Sequence, residues 1–287
     1  MSPEEKDLVI QVKTQEELNT ALVDHCHGTP VTIIIDGEKS TDEFRVEETG
    51  NCQVIAKGAC SVTALDHSVL EAREKVVVYA RDNSQIHAFD KSLVHAFDMS
   101  IVGATDRVRV NAKAASFISA KGRVQVRASG QSVVEAMDRS SVEALDQSFV
   151  SSWDKACVVA RDNSTVQAKN KTKIKARDYS TVKASGDSVT KAKDFSTVIA
   201  SNFATVKATD NSTVEAFLYA TVEATKSAHV VAEGETYVTA HDCSTVQAWG
   251  KVLVTATKNV VVHKHSKKVD INGGVVIDMT KKKRRTR

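Results

Sequence analysis

Thirteen aspartates, from Asp66 to Asp242, share one place in an eight-residue cycle, and paired carboxylates at fixed separation can do acid–base work. Glu71 and His87 lie 16 residues apart, Glu135 and Glu143 eight apart, and each pair joins groups able to hold or pass a proton. Five cysteines are present, Cys26, Cys52, Cys60, Cys157 and Cys243, and Cys26 is flanked by His25 and His27. Each grouping also has a plainer reading. The aspartates recur along most of the chain where a short polar side chain makes a turn. The two Glu and Glu/His pairs read as solvated surface residues. Three consecutive residues converge poorly on one ion, and no further ligand cluster accompanies them. An odd cysteine count argues against a disulfide framework. Cys52 and Cys60 hold equivalent places one cycle apart and read as small buried residues, with a disulfide across the core as the alternative. There is no Gly-rich phosphate loop, nucleophile elbow or metal motif. No catalytic, cofactor-binding or metal residue is therefore assigned, and the chain is expected not to be an enzyme.

The element that positions these residues is an octapeptide, repeated 26 times between Thr49 and Ala256 without insertion or deletion. Alanine closes every octad except at Ser152. An aliphatic stands two residues earlier, with Thr190 as the one departure. Position four is small or β-branched, most often Ser, and position two is Asp, Asn or Gly in 22 of the 26 octads. Positions four, six and eight alternate with variable residues, which is the period of a strand with one buried face. Position two supplies the corner. Strand and corner repeating at fixed length predict a parallel β-solenoid.

Two octads per coil give a flat coil of about 16 residues, and three give a triangular one with a hole that Val, Ala and Ser cannot fill. Position five favours two: Ile101, Phe117, Val133 and Phe149 alternate with Arg109, Gln125, Ser141 and Cys157, although Val77 and Leu93 upstream depart from the pattern. Sixteen-residue coils make 13 coils of the 26 octads, a rod of roughly 60 Å at ~4.8 Å per coil. Units such as Asp210–Phe217 (DNSTVEAF) and Asp242–Trp249 (DCSTVQAW) resemble the octapeptides of bacterial ice-nucleation proteins, and the pattern is also similar to octapeptide-repeat proteins of bacteria and their phages. The resemblance covers the repeat region and implies 16-residue solenoid coils. Ice activity in that family belongs to a Thr-x-Thr ladder; positions five and seven here read Thr165/Gln167, Thr181/Lys183, Thr197/Ile199 and Thr213/Glu215.

The expected organisation is an N-terminal capping segment over 1–48, the solenoid over 49–256, a C-terminal cap over 257–279 and a disordered basic tail over 280–287. The fold class is all-β, with a small strand-helix-strand start. Residues 8–13 read as a strand. Thr14 and Glu17 form a capping box for a helix with Leu18, Ala21 and Leu22 on its apolar stripe, and 31–36 is a second strand. Residues 37–48 read as a polar connector. No apolar run approaches the length of a membrane span, and no secretory signal opens the chain, so no membrane partner and a cytoplasmic or virion location are expected.

Three surface features carry the functional expectation. Ile101, Phe117, Val133 and Phe149 fall in one row on one face, which marks an interface with a second copy or a larger assembly. Lys173, Lys175, Lys191 and Lys207 lie on the opposite face. The tail cations Lys281, Lys282, Lys283, Arg284, Arg285 and Arg287 offer nucleic acid a like-charge segment. The leading expectation is a non-enzymatic structural rod that self-associates or docks on an assembly, with a phage virion or tail as the setting the resemblance implies. The alternatives are a β-helical carbohydrate-binding or carbohydrate-degrading protein, using Phe89, Phe97, Trp153, Phe217 and Trp249 at position one to stack on sugars, and a nucleic-acid-associated protein acting through the tail.

Overall fold

The structure, a computed structural model, describes residues 8–28, 31–37 and 43–280. The chain is an all-β parallel β-solenoid of 16-residue coils, and it packs as two compact units, residues 1–142 and 143–287.

In the first unit, β1 (Leu8–Val12) pairs in parallel with β2 (Val31–Gly37), and α1 (Gln15–His25) joins them. The helix begins where the sequence predicts: the Thr14 hydroxyl accepts the Glu17 N–H at 3.2 Å. The reciprocal half of the capping box differs, since the Glu17 carboxylate accepts the N–H of Lys13 at 2.6 Å. Leu18, Ala21 and Leu22 turn inward from α1. β2 in turn pairs with the strand Gln53–Gly58, setting Ile33 beside Val54 and Ile35 beside Ala56. The entry segment is thus laid directly on the inward columns of the first octads. Gly37 permits this approach, because a Cβ there would overlap the side chain of Cys60.

From there the octads of this unit contribute short strands over positions five to eight, and strands 16 residues apart pair in parallel. Gln85–Ala88, Ile101–Ala104, Phe117–Ala120 and Val133–Ala136 stack in one sheet, and Leu93–Ala96, Arg109–Ala112 and Gln125–Ala128 in the other. Position six and position eight side chains fill the space between the sheets: Val94, Val102, Val110 and Ile118 are buried, and so are Ala96, Ala104, Ala112 and Ala120. An inward column of valine backed by alanine keeps the sheets close enough to exclude voids, which is how a core of small side chains reaches packed density.

The second unit repeats the scheme. Phe149–Ser152, Thr165–Ala168, Thr181–Ala184, Thr197–Ala200 and Thr213–Ala216 form part of one sheet. Cys157–Ala160, Lys173–Ala176, Val189–Ala192, Thr205–Ala208 and Thr221–Ala224 form part of the other. The two departures from the octad consensus, Ser152 and Thr190, keep their inward places and are buried.

Pairing extends past both ends of the octads. Glu43–Val46, within the stretch that reads as a connector, is a strand on Ser61–Ala64, and its Phe44 is fully buried. Beyond Ala256, Val261–Lys264 pairs with Thr245–Trp249, Asp270–Asn272 with Leu253–Ala256, and Val275–Asp278 with Val261–Lys264. Lys264 takes the alanine place and donates through Nζ to the Val269 carbonyl at 2.7 Å.

Candidate functional site

The corners decide the role of the aspartates. Every position two from Gly50 to Gly250 has positive φ, whether the residue is Asp, Asn, Gly or one of the exceptions Glu74, Ala114, Leu218 and Lys226. Asp and Asn tolerate this left-handed conformation better than most residues, and Gly has no Cβ to obstruct it. The carboxylates also act between coils. Asp98 accepts the N–H of Asp82, Asp138 that of Gly122, Asp178 that of Asp162 and Asp194 that of Asp178, at 3.2–3.4 Å. Each carboxylate thus caps a backbone donor of the coil before it. Three of the position-four serines close the same corner from inside: Ser92, Ser212 and Ser244 donate to the carbonyl three residues earlier at 2.7–2.8 Å. Glu71 and His87 do stand side by side on one sheet, and Glu71 is engaged by Arg73.

On the face of the first unit that carries the apolar row, Ile101, Phe117 and Val133 are in direct register. Ile101 is 45% exposed, and Phe117 and Val133 are half-buried. The neighbouring column reads Gly103, Ser119 and Glu135, so the surface beside the row is low until Glu135. Phe149 belongs to the second unit, half-buried, where its neighbour in register is Thr165. There position five becomes a threonine column, Thr165, Thr181, Thr197 and Thr213, beside Gln167, Lys183, Ile199 and Glu215.

The unit's other sheet brings Lys175, Lys191 and Lys207 into one column and sets Glu223 beyond them. The Lys207 ammonium pairs with Glu223 at 2.7 Å, and that hydrogen bond holds the Glu223 carboxyl below its ordinary range. Lys173 occupies the outward place next to Lys175, on the same strand. The tail cations Lys281, Lys282, Lys283, Arg284, Arg285 and Arg287 lie outside the described residues.

No protein-family profile, curated protein or solved structure matches this chain.

The cysteines are free thiols, so the disulfide alternative for Cys52 and Cys60 does not form; both are buried, and burial raises both thiols above the ordinary range. Among the described residues no group of three His, Cys, Asp or Glu is placed to hold a metal ion, and no helix is long and apolar enough to cross a membrane.

Aromatic side chains sort by octad position. Two of the position-one rings that the sequence offers to sugars are already covered by cations: the guanidinium of Arg73 lies 5.5 Å from the Phe89 ring centre, and Arg81 and Lys113 lie 5.2 and 5.6 Å from that of Phe97. Trp249 stacks on His265 at 4.2 Å. Position three, which sequence reading passed over, holds two exposed stacked pairs in the second unit, Tyr179 on Phe195 at 5.4 Å and Phe203 on Tyr219 at 5.6 Å. The signal was present in the sequence as aromatics 16 residues apart at a turn position. In the first unit a different corner holds an open groove of about 770 Å³, lined by Glu74, Asp90 and Asp106 alternating with Lys75, Lys91 and Arg107. Acid and base in equal number make it locally neutral.

Proposed function

We propose that the chain is a non-enzymatic interaction scaffold, and that the sheet bearing Ile101, Phe117 and Val133 packs against the same sheet of a second copy. The observation that carries this reading is the register of the three apolar side chains in successive coils. A contiguous apolar row is unfavourable in water by roughly 25 cal/mol per Å² left exposed. Gly103 and Ser119 leave room for an opposing sheet at about 10 Å, the usual face-to-face spacing. A two-fold axis through such a face presents the row to itself, so one patch serves both copies. Glu135 lies at the margin, where a carboxylate stays hydrated. A place in a larger assembly, such as a phage virion or tail, is the setting this reading takes from the resemblance of the octads alone.

Sedimentation velocity at micromolar concentration tests it. The parent is expected to sediment as a dimer, and the double variant Ile101→Lys, Phe117→Lys as a monomer with an unchanged circular dichroism spectrum. A parent that is already monomeric overturns the reading.

A further inference from the structure

The second unit gathers cations where it also displays rings. Residues 155–207 contain 11 Lys and Arg against 4 Asp and Glu, in a chain that totals 39 against 36. Along one corner, three successive outward positions repeat in consecutive coils. In one coil they are Lys175, Arg177 and Tyr179; in the next, Lys191, Lys193 and Phe195. Lys175 and Lys191 are in register on the sheet. Backbone hydrogen bonds from Arg177 to Ala160, Lys193 to Ala176, Tyr179 to Asp162 and Phe195 to Asp178 hold the corner positions to the coil before at 3.0 Å. Lys175, Lys191 and Lys193 are exposed and Arg177 is half-buried, and among the described residues none of the four forms an ion pair. The acids within these two coils are Asp178 and Asp194, whose carboxylates are turned to the backbone N–H groups of Asp162 and Asp178. In the same column Asp162 accepts the N–H of Asp146, and Asp210, which feels the charge of Lys193, is paired with Lys226.

The rings stand at the outer rim. Tyr179 and Phe195 are 63% and 53% exposed, and their planes are 11° apart. Asn163 precedes them in the column and Asn211 follows, so the stack is two rings deep and ends on a short side chain at either side. Two columns of cations thus precede the rings by two and four residues in the chain, and repeat at ~4.8 Å from coil to coil.

We infer that this edge binds single-stranded nucleic acid, with bases stacking on Tyr179 and Phe195 and phosphates lying along Arg177, Lys193, Lys175 and Lys191. Cations that track a backbone, beside aromatic faces that accept any base, are the two parts such binding needs. A duplex turns its bases inward and cannot use the rings. An anionic polysaccharide would engage the cations and have no flat conjugated face for the stack. The second ring pair provides an internal control. Phe203 and Tyr219 are stacked with the same geometry, but the outward positions before them are Ile199 and Ser201, Glu215 and Phe217, with no cation among them. This site is separate from the apolar row of the first unit, and its failure would leave the proposed dimer untouched.

The test is fluorescence anisotropy of the full chain with labelled dT20, U20, a 20-base-pair duplex and heparin. The two single strands distinguish DNA from RNA as the source of the same chemistry. Binding of at least one is expected at 50 mM salt, tighter than binding of the duplex. The logarithm of affinity should fall with the logarithm of salt at a slope of about −3, as four phosphate contacts on a single strand would give. Tyr179→Ala with Phe195→Ala should weaken binding at least tenfold and leave the slope in place. Replacing Lys175, Arg177, Lys191 and Lys193 by Gln should flatten the slope. Phe203→Ala with Tyr219→Ala should change nothing. Thermal melts confirm that each variant is folded. The inference is overturned if neither strand binds, if the duplex or heparin binds as tightly while the Tyr179/Phe195 variant is unaffected, or if removal of 281–287 alone abolishes binding.

Discussion

Ala114 takes φ of 55° at a corner where most octads place Asp, Asn or Gly. A β-carbon in the left-handed region costs about 1–2 kcal/mol, and Asn partly escapes this through local hydrogen bonding. Asn170 and Asn202 adopt the same conformation in the second unit. Ala114→Asn is therefore expected to stabilise the first unit by about 1 kcal/mol, read as a higher midpoint of urea unfolding; no increase would show that the corner relaxes around alanine. Two histidines make stability depend on pH. His95 stacks on Tyr79, and burial first, then the charge of Lys113, lowers its pKa; His229 is lowered by burial and then by His263. Both folded values lie below the ordinary 6.5, so the unfolded chain binds more protons in the interval between. Their contribution is complete above pH 6.5 and is lost as pH falls from there to the depressed values. Melting temperature should drop between pH 7 and pH 5, and His95→Gln should remove part of that drop.

A four-residue strand has little stability by itself, so each element depends on the inward pair it contributes. Val166 is fully buried between the sheets, on a strand paired on both sides. Val166→Asp would leave a carboxylate there without a partner, and the variant should lose cooperative unfolding by circular dichroism, because an unpaired buried charge exceeds what one domain can absorb. A parent-like melt would mean that position six does not face inward. The element scale is also where sequence reading reached furthest. The alternation Ser164, Val166, Ala168 against Thr165, Gln167 states which residues are inside, and the structure puts them there. Asp or Gly at position two states where the chain turns. The strand Glu43–Val46 was not legible, because it has neither the alanine nor the turn residue of an octad and owes its pairing to Ser61–Ala64 beneath it. Val261–Lys264 falls within the stretch read as a C-terminal cap, and Lys264 in the alanine place hides its membership of the coil series. The ring pairs were hidden for another reason. Tyr179 and Phe195 are one coil apart at a position read only as part of the turn, where the repeat pattern does not say whether a side chain points outward to meet its neighbour.

At the scale of the molecule, one backbone plan carries two different surfaces. The first unit offers an apolar row, Ile101, Phe117 and Val133, and the second offers threonine on one sheet and lysine on the other. The plan tolerates this because the inward columns alone secure the fold, leaving outward positions open to change. Removal of one whole coil, residues 185–200, should accordingly give a folded protein with a cooperative melt, since Ala184 would lead into Ser201 with every later strand in its original sheet. Loss of folding would show that particular coils, and not the coil pattern, hold the unit together. The spacing of the backbone hydrogen bonds has a further consequence. Phe97 bonds to Ala80, Ile101 to Ser84 and Thr213 to Ser196, each reaching only to the coil before. A chain emerging from the ribosome at about 5–20 residues per second would complete one coil roughly every 1–3 s. Each coil finds its template already made when it appears, so the protein can fold vectorially during its own synthesis, and a translational pause at any point leaves behind it a stack with a single growing end.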